Sequence, residues 1–497
     1  MTYTLIAAVL LPICLSLLNF VYNIFLHPLR SYPGPWYARI SRLWYINRAF
    51  TGTLPCDIKK LHDQYGPVVR IAPNELSYNH PGAWQAIYGS NASSETGLKQ
   101  LFRKDPVFYA SFLDKQDTMI DAEDESHRDQ KKPLSYRFSH RAIVSTQDIL
   151  TKYHLLMIQK LKQYMASHNE PIDMNVWVPN CVLDISSMLA ISRDHGATAC
   201  SAKAHPFLPT LSKSIDFLWF YVQFQRLPRP ITWIMQQITA FVFGHFKLFE
   251  RNNISSLIKD RLNNGSTRPD YVTQLLMMTE YANGVKDTSL IPKATLLIIG
   301  GTETTSTVLL GLIYHLTANP KTYRIAAQEV RSTFNDVSDI SIESTRDLRY
   351  LSVCIDESLR MYTSFPGALP RLVPPGGAAI LGRHVPENTV VGIPHYAAFR
   401  SGQNFSNPDD FLPERWLDKE STDKRDAFHP FSFGPRICIA KETNLLVRLA
   451  LANMKQMMAH LLWEFDMDLV NSCKNWSTQT VGLLPHRARL SGYEVRS

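Results

Sequence analysis

The stretch Phe431-Ser432-Phe433-Gly434-Pro435-Arg436-Ile437-Cys438-Ile439-Ala440 decides how this chain reads. A cysteine that serves as a thiolate ligand needs a backbone turn directing N–H groups at its sulfur, an apolar wall against water and a favourable field. Gly434 permits the turn, Phe431 supplies the wall, and Arg436 is a planar cation shaped for a carboxylate. Ile439 to Ala452 has helical spacing, so Cys438 falls at a helix N-terminus, where the dipole favours an anion. Without these neighbours Cys438 would read as one buried free cysteine among seven.

The other cysteines, at 14, 56, 181, 200, 354 and 473, form no C-x-x-C pair, and the total of seven is odd. That argues against structural zinc and a disulfide scaffold, and suits a reducing compartment. The 497 residues are 45% hydrophobic and 19% charged, which excludes disorder and fibrous repeats. The net charge of +8 is spread thinly, with no basic block interleaved with aromatics, so nucleic acid is not expected as a partner.

From about residue 145 to 365 the pattern is one of long helices. Short strand-like runs occur at Val68 to Ile71, Ala378 to Leu381 and Val390 to Ile393, the last two flanking a turn at Pro386. The expected fold class is mainly α with small peripheral β-sheets. There is no G-x-G-x-x-G, no G-K-[ST] and no internal repeat, which argues against a nucleotide site. Residues 217 to 246 are apolar and aromatic, and Pro228 and Pro230 divide them into two helices. They read as core, or as a helix pair dipping into a membrane interface.

Three further constellations stand upstream of Cys438. Glu357-Ser358-Leu359-Arg360 places acid and base on one helix face; alone, that spacing says little. Phe411-Leu412-Pro413-Glu414-Arg415-Trp416 supplies a second arginine, Arg415. Ala294 to Leu316 is a long apolar helix with a polar notch, Gly300-Gly301-Thr302-Glu303-Thr304-Thr305. Its rival reading, a membrane span, is opposed by Glu303 at mid-span, which would cost about 2.5 to 3.5 kcal/mol.

Together these segments resemble the cytochrome P450 superfamily. FSFGPRICIA is similar to its cysteine-ligand loop, F-x-x-G-x-R-x-C-x-G, with Ala440 in place of the final glycine. Glu357 and Arg360 match E-x-x-R, Arg415 matches P-E-R-F, and the notch matches [A/G]-G-x-[D/E]-T-[T/S]. The resemblance implies the P450 fold, heme b (iron protoporphyrin IX) with Cys438 as the axial iron ligand, and a buried network of Glu357, Arg360 and Arg415. It implies Glu303 and Thr304 as the proton-delivering pair at dioxygen, and Phe431, Gly434, Arg436 and Ala440 as haem contacts. Arg371 and the His127-to-Lys131 pair, with Lys131 where the family has arginine, would meet propionates.

The implied activity is that of a monooxygenase inserting one oxygen atom from O2 into a hydrophobic small molecule. Electrons would come from NADPH by way of a separate NADPH-cytochrome P450 reductase. FLHPLRSYPGP and PPGGAAILGRHVPENT look most like filamentous-fungal members acting on terpenoid, polyketide or alkaloid scaffolds. A haem-thiolate isomerase or dehydratase, and a non-catalytic membrane-anchored haem-binding protein, are the alternatives.

The N-terminus reads as a membrane anchor. Residues 1 to 29 carry no charged side chain, and Leu5 to Leu26 is long enough to span a bilayer core. Arg30, Arg39, Arg42 and Arg48 follow, which places residues 30 to 497, the haem-thiolate monooxygenase domain, in the cytosol. The expectation is a single-pass protein of the endoplasmic reticulum membrane, with Pro28, Pro33, Gly34 and Pro35 as a stiff hinge.

Overall fold

The computed structural model describes residues 14, 17–89, 101–109, 118–200, 202–227, 229–266, 268–282, 290–439, 449–469 and 493–496. The helices that frame the site are α1 (Gly82–Tyr88), α2 (Asp124–Arg137), α3 (Gln147–Ser167), α4 (Met174–Ile191), α5 (Phe207–Phe224), α6 (Arg229–Asn264), α7 (Leu290–Ala318), α8 (Arg349–Met361) and α9 (Leu449–Glu464). The body is mainly helical with small sheets at its edge, as the apolar periodicity predicts.

Helix α7 is the axis of the molecule. It is buried from Thr305 to Thr317 and lies along α4 in the most extensive helix–helix contact of the fold. Both helices are long and apolar enough to cross a membrane, yet 78% of the apolar window of α4 and 67% of that of α7 are buried inside the protein. They are core helices, and the membrane-span reading of Ala294 to Leu316 falls on packing. Gly301 lets α4 approach: a Cβ there would lie 2.8 Å from Ser186 Oγ.

The proline-interrupted stretch forms two helices, α5 ending at Phe224 and α6 beginning at Arg229, as the sequence predicts.

Strands β1 (Val68–Ala72), β2 (Glu75–Tyr78), β3 (Arg103–Lys104), β4 (Arg371–Leu372), β5 (Ala378–Ile380), β6 (Arg383–Val385) and β7 (Val390–Gly392) make two of the sheets. The larger has the order β1-β2-β7-β4-β3, with β2 and β7 parallel and the other neighbours antiparallel. The two late strand runs therefore belong to different sheets. Leu381 and Gly382, at φ 51° and 73°, turn the chain back two residues after Ala379. This gives β5 its own partner, β6, and leaves β7 to insert between β2 and β4. A third ladder pairs β8 (Asp466–Leu469) with β9 (Tyr493–Arg496).

The proline run after the N-terminal segment is docked, not hinged. Leu29 and Tyr32 are buried in the cluster beneath the sheet, and Arg70 N–H donates to Pro33 O at 2.7 Å. Asn23 is buried as well; its amide donates to Ile40 O, and its own carbonyl accepts from Arg70 Nη1. The chain thus leaves the body along a fixed line. Residues 1–13 of the expected anchor lie outside the described residues.

Candidate active site

The cysteine loop is built by backbone geometry. Cys438 N–H donates to Phe431 O at 3.0 Å, Ile437 N–H to Gly434 O and Ser432 N–H to His429 O, which closes residues 429 to 438 into a compact turn. Ser432 and Gly434 both lie at positive φ, 65° and 73°. Gly434 rests on the end of α1, where a Cβ would come within 1.9 Å of Tyr88 O. No side chain fits there. Gly434→Ala combines left-handed strain with overpacking, each of about 1 to 3 kcal/mol, and is expected to cut the yield of haem-loaded protein severely. Gly402→Ala, where an added Cβ meets nothing within 4 Å, should leave that yield unchanged in the same absorbance assay.

Cys438 is exposed, as are Cys14 and Cys200, whereas Cys181 and Cys354 are buried, and burial pushes both of those thiols up, so they stay protonated. Phe431 packs at the margin of the main core. Beneath the loop lies an aromatic bed in which Trp84 meets His429 and His429 meets Phe433, with ring centroids 5.0 and 4.9 Å apart. Ala440 and most of the expected helix Ile439 to Ala452 lie outside the described residues; α9 is described from Leu449.

Helix α7 carries the notch. Leu297, Gly300 and Thr304 recur at helical spacing and form a stripe that is exposed at Gly300 and partly exposed at Leu297 and Thr304, on the half of the helix that precedes the buried run Thr305 to Thr317. A Cβ on Gly300 would touch nothing within 4 Å, so the stripe borders free space. Thr304 Oγ1 donates to Gly300 O at 2.7 Å, which leaves its oxygen lone pairs directed outward from that bond. Glu303 is buried, one position round the helix from the stripe.

A cluster of cations gathers around Arg436 of the loop. Arg436 donates from Nε and Nη2 to Asp124 Oδ1, at 3.0 and 2.6 Å, and from Nη2 to Ala122 O. Lys131, on α2, donates to Pro435 O at 3.1 Å and so braces the cysteine loop. His127 joins the cluster in neutral form: burial first, then Arg436, Lys104 and Lys131, hold its pKa down to about 3. Arg371 is buried over the Tyr88 ring. Among the described residues, Arg371 Nε and Arg436 Nη1 are buried with no hydrogen-bond partner. Buried guanidinium nitrogens left open in a cluster rich in positive charge fit a group that brings carboxylates. An exposed thiol on a glycine turn fits a metal at the centre of that group. The residues present fit a haem.

The stabilising network is complete. Glu357 accepts from Arg360 at 2.9 and 2.8 Å, from Arg415 Nε at 3.1 Å, from Trp416 Nε1 at 2.9 Å and from Leu412 N–H at 2.9 Å. Arg415 also pairs with Asp423 at 2.6 Å, so two arginines meet two acids with every charge buried. Burial alone would raise Asp423, but hydrogen bonds from Ser406 and Arg415 hold its carboxyl below the usual range. The sequence motifs identify three of these partners and miss Asp423 and Trp416, the latter adjacent to a recognised arginine. Asp124, Tyr88 and Lys104 were also missed; only Asp124, in an acidic run at the start of a helix, carried a signal.

A mostly helical body that carries a cysteine on a glycine-turned loop and a notched central helix fits the class of haem-thiolate enzymes. The cytochrome P450 family model matches residues 32–491. The chain is 35% identical to cytochrome P450 monooxygenase aclL of Aspergillus oryzae over 92% of its own length and 91% of that protein. It is 33% identical to the trichothecene C-15 hydroxylase of Fusarium sporotrichioides, over 92% of this chain and 90% of that protein. It is also 33% identical to the averantin hydroxylase of Dothistroma septosporum, covering 91% and 83%. This chain belongs to the cytochrome P450 family and is a haem monooxygenase, an oxidoreductase. The names of its relatives favour oxygenation over the isomerase, dehydratase and non-catalytic alternatives.

Proposed function

We propose that this enzyme uses heme b, held by Cys438, to hydroxylate or epoxidise a hydrophobic intermediate of fungal secondary metabolism, with NADPH-cytochrome P450 reductase as electron donor. The observation that carries this reading is the stripe Leu297, Gly300 and Thr304 on the central helix, exposed at Gly300 where an added side-chain carbon would meet nothing within 4 Å. It offers an apolar wall, a gap free of side chain and one hydroxyl. The relatives named for hydroxylating a trichothecene and averantin support a secondary metabolite as substrate.

The overall reaction takes the substrate, O2, NADPH and one proton to the oxygenated product, water and NADP⁺. Haem, when bound, supplies the iron at which dioxygen is reduced and cleaved. The chain's own contribution is proton handling. Thr304 accepts from water at the notch and can rotate its O–H away from Gly300 O toward it, and Glu303, buried beside it, resupplies the proton by way of water. Arg371, Arg436, His127 and Lys131 orient the porphyrin edge. In Thr304→Ala, NADPH consumption should persist while product falls and H2O2 rises, the productive step losing up to about 10² to 10⁴ in rate. Unchanged product per NADPH would remove Thr304 from proton delivery.

Residues 1 to 29 form the anchor in this reading, with the catalytic domain on the cytosolic face of the endoplasmic reticulum. Leu17, Leu18, Val21, Phe25 and Leu26 are exposed along the N-terminal segment. Trp233, Ile234, Ile238 and Phe241 form an exposed apolar face on α6 that can rest in the same interface.

A further inference from the structure

The docked N-terminal segment, the β1–β2 pair and the β5–β6 hairpin enclose a groove of about 450 Å³. Tyr32 and Tyr78 supply its buried lining, Pro67 and Val68 come from the start of β1, and Leu381 and Arg383 come from the hairpin. None of its lining residues belongs to the cysteine loop, the α7 stripe or the cation cluster around Arg436, so it shares nothing with the candidate active site.

The groove combines donors with apolar walls and carries no acid. Arg383 stacks over the Tyr32 ring at 3.7 Å and donates from Nη2 to Ser31 Oγ at 2.6 Å; among the described residues no carboxylate pairs with it. Tyr32 is already engaged, since its O–H donates to His384 O at 2.7 Å. Tyr78 is not: its Oη is buried with no hydrogen-bond partner among the described residues, and the ionisable groups that bear on it are Tyr32 and Arg383 of the same groove. A buried phenol left without an acceptor is costly until one arrives. His80 Nδ1 accepts from Gly82 N–H at 3.1 Å, which leaves Nε2 to carry the proton of the neutral ring. Leu381, 39% exposed, offers apolar surface beside these donors.

We propose that this groove is a second ligand site, for a hydrophobic monocarboxylic acid whose carboxylate meets Arg383 and Tyr78 and whose carbon frame lies on Val68, Ile380 and Leu381. One cation without an acidic partner matches a ligand with one negative charge. The volume falls in the range of small-molecule pockets, about 300 to 1,000 Å³, and is too small for the two acyl chains of a phospholipid. The site is independent of the haem-binding reading above.

The test uses the full-length holoenzyme in phosphatidylcholine nanodiscs. Its probe is benzophenone-4-carboxylate, which crosslinks to nearby C–H bonds under ultraviolet light. Crosslinks should map to the peptides that carry Val68 or Leu381, and biphenyl-4-carboxylate, but not its uncharged amide, should suppress them. Counting only those peptides keeps any acid bound beside the haem out of the measurement. The probe concentration for half-maximal crosslinking should rise about ten- to a hundredfold in Arg383→Gln, the effect of one lost charge-assisted hydrogen bond, and about three- to tenfold in Tyr78→Phe. Both variants should melt with the wild type; should Tyr78→Phe melt early, Arg383→Gln, an exposed position, carries the measurement. No enrichment at those peptides, equal suppression by the amide, or unchanged half-saturation in Arg383→Gln would overturn the proposal. So would complete loss of the crosslinks at saturating probe when phosphatidylglycerol replaces phosphatidylcholine, which would make a lipid headgroup the occupant.

Discussion

Cys438→Ser abolishes the thiolate-type reduced CO spectrum and reduces product formation to background. A serine hydroxyl stays protonated on the same loop and cannot supply the electron donation of a thiolate. The loop itself should survive, because its closure uses backbone atoms: Cys438 N–H to Phe431 O and Ile437 N–H to Gly434 O. The variant is therefore expected to be folded and inactive. Alanine at Cys181 or Cys354, buried on α4 and α8, should retain the spectrum, with at most a packing cost. A thiolate-type band persisting in Cys438→Ser would show that another residue holds the iron.

The second large effect is structural. Glu357→Gln removes one negative charge at the centre of a network in which Arg360 and Glu357 are wholly buried. Two arginines then face only Asp423. Breaking a buried pair in this way costs about 3 to 5 kcal/mol, a large fraction of the roughly 5 to 15 kcal/mol that holds a domain folded. Glu357→Gln should accumulate poorly, bind little haem and melt early. Arg346→Gln, which removes a half-exposed partner of Glu343, belongs to a class of surface pairs worth about 0 to 1 kcal/mol. It is the control, and equal melting temperatures in the two variants would refute the role given to Glu357. Asp423 adds a pH dependence. Its folded-state pKa is depressed, so its contribution is complete above the ordinary Asp value of about 3.9 and is lost as the pH falls through the lower folded-state value.

What the sequence determined by itself is local. Cys438, Gly434 and Arg436 lie within five residues, Glu357 and Arg360 within one helical turn, and Gly300 to Thr305 on one helix, so spacing alone sets which side chains share a turn or a face. The mainly helical class and the division of residues 217 to 246 into two helices follow from periodicity and proline in the same way. The tertiary structure alone decided what these groups meet. Arg436 finds Asp124 across 312 residues, Gly434 is required by the backbone of Tyr88, and Arg415 is balanced by Asp423. Lys104 faces Arg371 only because β3 joins the sheet beside β4. The pairing of the late strands went astray for the same reason: a two-residue turn at Leu381 and Gly382 gave β5 a nearer partner and released β7 to the main sheet. Such contacts depend on strand register and helix packing, which are settled by the burial of the whole apolar surface at once.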